Sequence, residues 1–344
     1  MRYKIAPLGA VTVCVLLGAN LSPGAVELDA LGSFLTEHGY GGAQLVRVGN
    51  FYYLPVRANG RPANLIIDTG SPAMLIFRPT AKELGLTESK TTFPVRGAFG
   101  PTREFYGKAM IKELKAGNCI LTNVPVAIAP VVSDGGRHAN ATGVFGLREL
   151  ARFGAILDLS QRLLYFNSSR PNVQRVEITW MRARHGWRPV APGTELSQTV
   201  HSMLVDRGWR PVGFSIAHRH LRVPGSVNGV RCYFMLDTGS YLTLLDTDFA
   251  KRANIGAMPT QIAAEGIGRS SRDIRLAVFP AIQIGSYEIK PASATVAVLD
   301  SEAIGRGTDS EVVGLIGIEQ LAMNSAIFDF SSRQLYLRPP ANRR

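Results

Sequence analysis

The sequence predicts an all-β protein built of two similar lobes. Three observations point there: short strand-like runs separated by regular turn signals, room for only four short helices, and an internal repeat of about 125 residues per copy. With 46% hydrophobic residues and 35 glycines among 344, the composition suits a packed, turn-rich globular chain rather than a disordered one. The length allows about two domains.

The repeat is anchored on Leu65-Ile66-Ile67-Asp68-Thr69-Gly70-Ser71 and Phe234-Met235-Leu236-Asp237-Thr238-Gly239-Ser240. One Asp-Thr-Gly-Ser tetrapeptide is expected by chance in roughly one chain of this length in a hundred, so a second copy needs a structural cause. Thirteen residues before each Asp stands a proline, Pro55 or Pro224, and an Asn-Gly pair follows, Asn59-Gly60 or Asn228-Gly229. Asn-Gly between apolar runs is a strong hairpin signal. After each Asp come Ala81-Lys82 or Ala250-Lys251, then Gly85 or Asn254, residues suited to ending a helix in the left-handed conformation. Glycine-rich stretches follow at plus 29, Gly97-Ala98-Phe99-Gly100 and Gly266-Ile267-Gly268. Gly143-Val144-Phe145-Gly146-Leu147 and Gly314-Leu315-Ile316-Gly317-Ile318 complete each copy, followed by Leu150 or Leu321 and by Asp158 or Asp329.

These residues carry a family likeness. The chain resembles an aspartic protease whose two halves each resemble a retropepsin subunit: the Asp-Thr-Gly motif matches at Asp68-Thr69-Gly70 and Asp237-Thr238-Gly239, and the later apolar-apolar-Gly motif at Val144-Phe145-Gly146 and Leu315-Ile316-Gly317. Each motif alone is weak, and four in matching order are strong. The resemblance implies a bilobal acid-protease fold of two retropepsin-like β-barrel lobes, with residues 45–168 and 212–338 forming the first and second.

In chain order, residues 1–25 place Arg2 and Lys4 before an apolar run from Ile5 to Ala19 and small or turn residues through Ala25. That is the shape of a secretory signal peptide, the run being short for a membrane span of about 20 residues. Export to a periplasm or the extracellular space is expected, the alternative being an uncleaved N-terminal anchor. Residues 26–44 read as a leading arm or a short pro-segment. Strands are expected at 45–48, 51–57 and into Asp68, then at 107–114 and 124–129, and in the second lobe at 275–284 and 294–299. The four helices are expected near 80–84, 147–153, 247–253 and 318–323.

The connector 169–211 has no counterpart in the repeat and holds Trp180, Trp187 and Trp209. Over 170–222, nine Arg against three acids give a net charge of plus six, half of the chain's plus twelve. Such a stretch is either a solvated connector whose tryptophans pack across the lobe junction or a weak contact for an anionic surface. Nucleic acid is not expected as a partner. His218 and His220, if on a strand, would point to one face, but further ligands at suitable spacing are missing and no metal site is expected. Cys119 and Cys232 occupy non-equivalent places and read as two free thiols or one disulfide. Residues 339–344 are a C-terminal tail.

The chemistry comes from pairing Asp68 with Asp237. At about 3 Å and an effective dielectric near 20, two carboxylates repel by roughly 5 kcal/mol, about 4 pKa units, so one proton is shared. Aspartic proteases are known as a class for this behaviour, and the resemblance carries it over to this pair. Gly70 and Gly239 let the backbone approach the carboxylates closely. By resemblance, Thr69 and Thr238 hydrogen-bond across to the opposite loop and Ser71 and Ser240 bond the outer carboxylate oxygens. Gly97, Ala98, Phe99, Gly100, Gly266, Ile267 and Gly268 resemble flaps that close over an extended substrate. Asp158 and Asp329 lack the flanking motif and read as turn residues. The expected function is an exported aspartic endopeptidase, acting as a monomer on polypeptides without cofactor. Two readings on the same fold compete with it: a non-catalytic peptide-binding module and an anionic-surface-binding protein.

Overall fold

The computed structural model describes residues 29–89, 92–97, 100–129, 141–167, 195–265, 271–300 and 312–339. The signal-like segment, most of the connector including Trp180, Trp187 and His185, and the flap residues Ala98, Phe99, Gly266, Ile267 and Gly268 lie outside the described residues.

Each half forms one large sheet, eight-stranded in the first and ten-stranded in the second, and a six-stranded sheet joins them. The Asn-Gly pairs make two-residue hairpin turns, Asn59 and Gly60 at φ 49° and 81° and Asn228 and Gly229 at φ 48° and 83°. Positive φ at both central residues gives a turn whose twist matches the flanking strands, here Phe51–Ala58 with Arg61–Asp68 and His220–Val227 with Val230–Asp237. The second strand of each hairpin ends on its aspartate. Each also runs parallel to the later glycine motif, pairing Asp68 with Gly146 and Asp237 with Gly317. In both halves the described strands that flank the predicted flap residues pair antiparallel: Phe93–Gly97 with Gly100–Ala116, and Ala257–Glu265 with Ser271–Val278.

The joining sheet crosses the lobes where Ile156–Asp158 pairs antiparallel with Ile327–Asp329. Its edge strands are Tyr40–Gln44 and Arg210–Gly213, which pair with Leu163–Asn167 and Gln334–Leu337. Asp158 and Asp329, expected as turn residues, are instead the last residues of these strands, nearly fully buried, and their carboxyls cap the turns that follow. Asp158 accepts from the backbone N–H groups of Ser160 and Gln161, and Asp329 from those of Ser331 and Ser332.

The four expected helices occur as Arg78–Glu83, Leu147–Arg152, Thr247–Arg252 and Ile318–Met323. The first begins two residues early because Pro79 fits a helix's opening turn. Gly85 and Asn254 stand at φ 67° and 54° just past their helices, as read from the sequence. Two helices were not expected, Ala30–Glu37 and Glu195–Asp206. Both lie outside the repeat, so no second copy drew attention to them, yet each has an amphipathic pattern. Leu31 and Leu35 of one, and Val200 and Leu204 of the other, are buried against Tyr40, Ile156, Tyr165, Trp209, Ile327 and Tyr336. Residues 30–44 are therefore part of the packed lobe junction. Trp209, as expected for the connector, is buried there, with its indole N–H donating to the Ser325 carbonyl at 3.0 Å and Arg338 over its ring.

Two further expectations need correction, and one alternative is decided. His218 is not on a strand: His218 and Arg219, at φ 50° and 71°, form a turn between Ser215–Ala217 and His220–Val227, so strand alternation does not align His218 with His220. The run 275–284 is two strands, Ser271–Val278 and Ile282–Ile284, broken around Pro280, which has no N–H for a ladder. The cysteines are free thiols in different halves, with burial pushing Cys119 up to about 11 and Cys232 up to about 12.

Candidate active site

Asp68 and Asp237 close their strands, and each carboxyl lies beside the glycine of the opposite loop. A Cβ placed on Gly70 would strike the Asp237 carboxyl, and one on Gly239 the Asp68 carboxyl, each at under 3.0 Å. Only glycine leaves room for the opposing acid. The loop N–H groups turn inward: Gly70 and Ser71 donate to Asp68 Oδ1 at 2.8 and 2.9 Å, and Gly239 and Ser240 to Asp237 Oδ1 at 2.9 and 3.1 Å. Each carboxyl thereby has one oxygen fixed by its own loop. Burial, first, and the hydrogen-bonded Asp68 beside it raise Asp237 well above the ordinary carboxylate range.

The threonines interlock the loops. Thr69 N–H donates to Thr238 Oγ1 and Thr238 N–H to Thr69 Oγ1, both at 3.0 Å. Each hydroxyl donates onward to a carbonyl of the opposite strand, Thr69 to Leu236 and Thr238 to Ile67, both at 2.8 Å. Both side chains are buried, so all four bonds are shielded from water. The serines depart from expectation. Their hydroxyls donate to the Ala73 and Leu242 carbonyls at 2.9 and 3.0 Å, and their backbone N–H groups, not their side chains, serve the aspartates. A hydroxyl two residues before a free carbonyl closes a tight local turn, and that turn wins over the carboxylate.

Gly146 and Gly317 explain the later motif. A Cβ on Gly146 would strike the backbone of Ser71 and Ala73, and one on Gly317 that of Tyr241 and Leu242. The next residue braces the same loop, with Leu147 N–H donating to Ser71 O and Ile318 N–H to Ser240 O, both at 2.8 Å.

Two supporting residues escaped the sequence reading. Glu149 is fully buried, accepts from Met74 N–H at 2.7 Å and is held by Arg148 at 2.6 Å. Glu319 accepts from Thr243 N–H at 2.9 Å. Met74 and Thr243 both stand six residues past their aspartates, so the two glutamates tie down equivalent points of the two loops. Their own positions differ by one, three residues past Gly146 and two past Gly317, which hid the correspondence. An acid in the first turn of both helices was the available signal.

The chain matches the family model described as aspartyl protease over residues 54–148 and again over 223–319. It belongs to the aspartyl protease family. The two matched stretches contain one Asp-Thr-Gly loop and one later glycine motif each, so the family accounts for the repeat as well as for the fold of two facing β lobes. Similar solved structures include an aspartic proteinase from Irpex lacteus, at 12% identity and TM-score 0.47 over 88% of this chain and 98% of that one. Basic 7S globulin from soybean is 11% identical, at TM-score 0.43, over 87% and 95%. A retropepsin-like aspartic protease from Rickettsia conorii is 16% identical at TM-score 0.27, and covers 37% of this chain with 90% of its own length. A search of curated proteins returned no match.

Proposed function

We propose that this chain is an exported aspartic endopeptidase that cleaves polypeptides with a water activated between Asp68 and Asp237. The observation that carries the reading is the meeting of the two carboxyls, one from each half, with Asp237 raised well above its ordinary value. A pair that shares one proton has both functions that amide hydrolysis needs. The ionised partner takes a proton from water as it attacks the carbonyl carbon, and the protonated partner donates to the carbonyl oxygen. As the tetrahedral intermediate collapses, the C–N bond breaks and the pair returns a proton to the leaving nitrogen. The two acids titrate as a unit, and the starting proton belongs to the pair.

The paired strands that end at Gly97 and Gly100, and at Glu265 and Ser271, support a role for both flap segments in covering an extended peptide. Export rests on the basic, apolar and small-residue order of residues 1–25. The test is cleavage of an unstructured polypeptide by purified protein across pH 3 to 8. Asp68→Asn and Asp237→Asn are each expected to lower the rate by about a hundred- to ten-thousandfold while the circular dichroism spectrum stays that of the parent. Full activity in either variant rules out the pair, and a parent protein that binds the polypeptide without cleaving it makes the chain a peptide-binding module.

A further inference from the structure

Beside the second catalytic loop, a cleft of about 890 Å³ opens on the seam between the halves. Arg47, Tyr52 and Arg162 of the first half face Tyr241, Glu319 and Met323 of the second across it. Arg47, Tyr52 and Arg162 line the same cleft, and both arginines favour the charged form of the Tyr52 hydroxyl. Arg47 Nε donates to the Gly49 carbonyl at 3.1 Å, and neither arginine forms an ion pair among the described residues. The acids nearby are already engaged. Glu319 accepts from Thr243 N–H, and Asp158, behind the wall, accepts from Ser160 and Gln161. Met323 and the exposed Tyr241 ring supply apolar surface opposite the cations. Such a cleft suits a group with an aliphatic stem and a carboxylate head.

Position links the cleft to the reaction centre. Tyr241 is four residues past Asp237, so its Cα lies within about 14 Å of the catalytic one. Four residues of extended peptide span about the same length. The cleft is also one-sided. Under the repeat, Arg47, Tyr52 and Tyr241 correspond to Ile216, Leu221 and Pro72, so the opposite seam lacks the Arg47 cation and both tyrosines. Duplication alone would have produced two such sites.

We propose that this cleft is a subsite for an acidic side chain of the polypeptide, three or four residues from the bond cleaved, held by Arg47 and Arg162. The proposal rests on the protease reading above. It is tested with matched peptides that carry Glu or Gln at one position at a time, from four residues before the cleaved bond to four after it. At one position, kcat/KM for the Glu peptide is expected to exceed that for the Gln peptide by about tenfold, as charge-assisted hydrogen bonds allow. The ratio should fall toward one in 0.5 M salt and in the double variant Arg47→Gln, Arg162→Asn. Asn is chosen because Arg162 stands at φ 58°, a conformation Asn tolerates. Ratios within twofold of one at every position three or four residues from the bond overturn the subsite, whatever the nearer positions show, as does a preference that survives the double substitution. Fluorescence anisotropy of the same peptides on the Asp68→Asn, Asp237→Asn protein gives an independent reading. A Glu preference there supports the subsite even when the parent cleaves nothing, and equal affinities overturn it; absence of cleavage by itself sinks only the protease reading.

Discussion

At the scale of single residues, the site is held by two threonines and two glycines whose replacements have distinct costs. Thr69→Ala removes a donor to the Leu236 carbonyl and an acceptor for Thr238 N–H, both buried. Leaving buried groups unpaired costs about 1–3 kcal/mol each, so the melting temperature should fall by several degrees, with kcat/KM reduced. Thr69→Ser keeps the hydroxyl and should recover most of both losses in parallel calorimetry and peptide assays. Equal damage from Ala and Ser would mean that the methyl group, not the interlock, matters. Gly70 and Gly239 differ in kind: an added Cβ would collide with the opposing carboxyl, so no side chain, however small, keeps the pair in place.

At the scale of elements, the helix Ala30–Glu37 shows how a segment outside the repeat belongs to the fold. Asp29 caps it by accepting from Gly32 N–H at 2.9 Å, and Leu35 is fully buried at the lobe junction. Leu35→Ala should cost about 2–5 kcal/mol, the range for truncating a buried leucine, measured by urea unfolding. The helix is not part of the catalytic loops, so peptide cleavage by the folded fraction should keep its kcat/KM. Removal of residues 30–44 without loss of stability would identify them as a dispensable pro-segment and contradict their burial. The strands and hairpins were legible because Asn-Gly pairs, proline positions and glycine motifs occur twice at matching offsets. The helices Ala30–Glu37 and Glu195–Asp206 were not, because the apolar positions that define them acquire meaning only against Trp209, Tyr336 and each other.

At the scale of the molecule, several buried or half-buried carboxyls hold their protons more tightly than free ones. Burial and the neighbouring Asp68 raise Asp237, and burial raises Glu149, Asp158 and Glu319. A raised acid binds its proton more tightly in the folded state than in the unfolded one. Its stabilising effect is therefore present below the ordinary value, 3.8 for Asp237, and is lost as pH rises through the raised value. Calorimetric melting temperatures should decline between mildly acidic and neutral pH, and Asp237→Asn should show a shallower decline because the amide does not titrate. An unchanged slope in that variant would remove Asp237 from the explanation. Under the proposed mechanism, activity should weaken over the same rise as the pair loses the proton it shares.

The duplicated Asp-Thr-Gly-Ser loops, the hairpin turns and the glycine motifs were all written locally, since each depends on backbone conformation or close approach within a few residues. So was the fold class, because alternating strands and turns leave a periodic trace. What the chain order does not encode is contact across the junction. The serine hydroxyls turned away from the carboxylates because a nearer carbonyl was free, Glu149 and Glu319 serve equivalent loop positions from unequal helix positions, and Arg47, Arg162 and Tyr241, from three separate segments, line one cleft. Those outcomes follow from which groups tertiary packing brings within a few ångströms of one another.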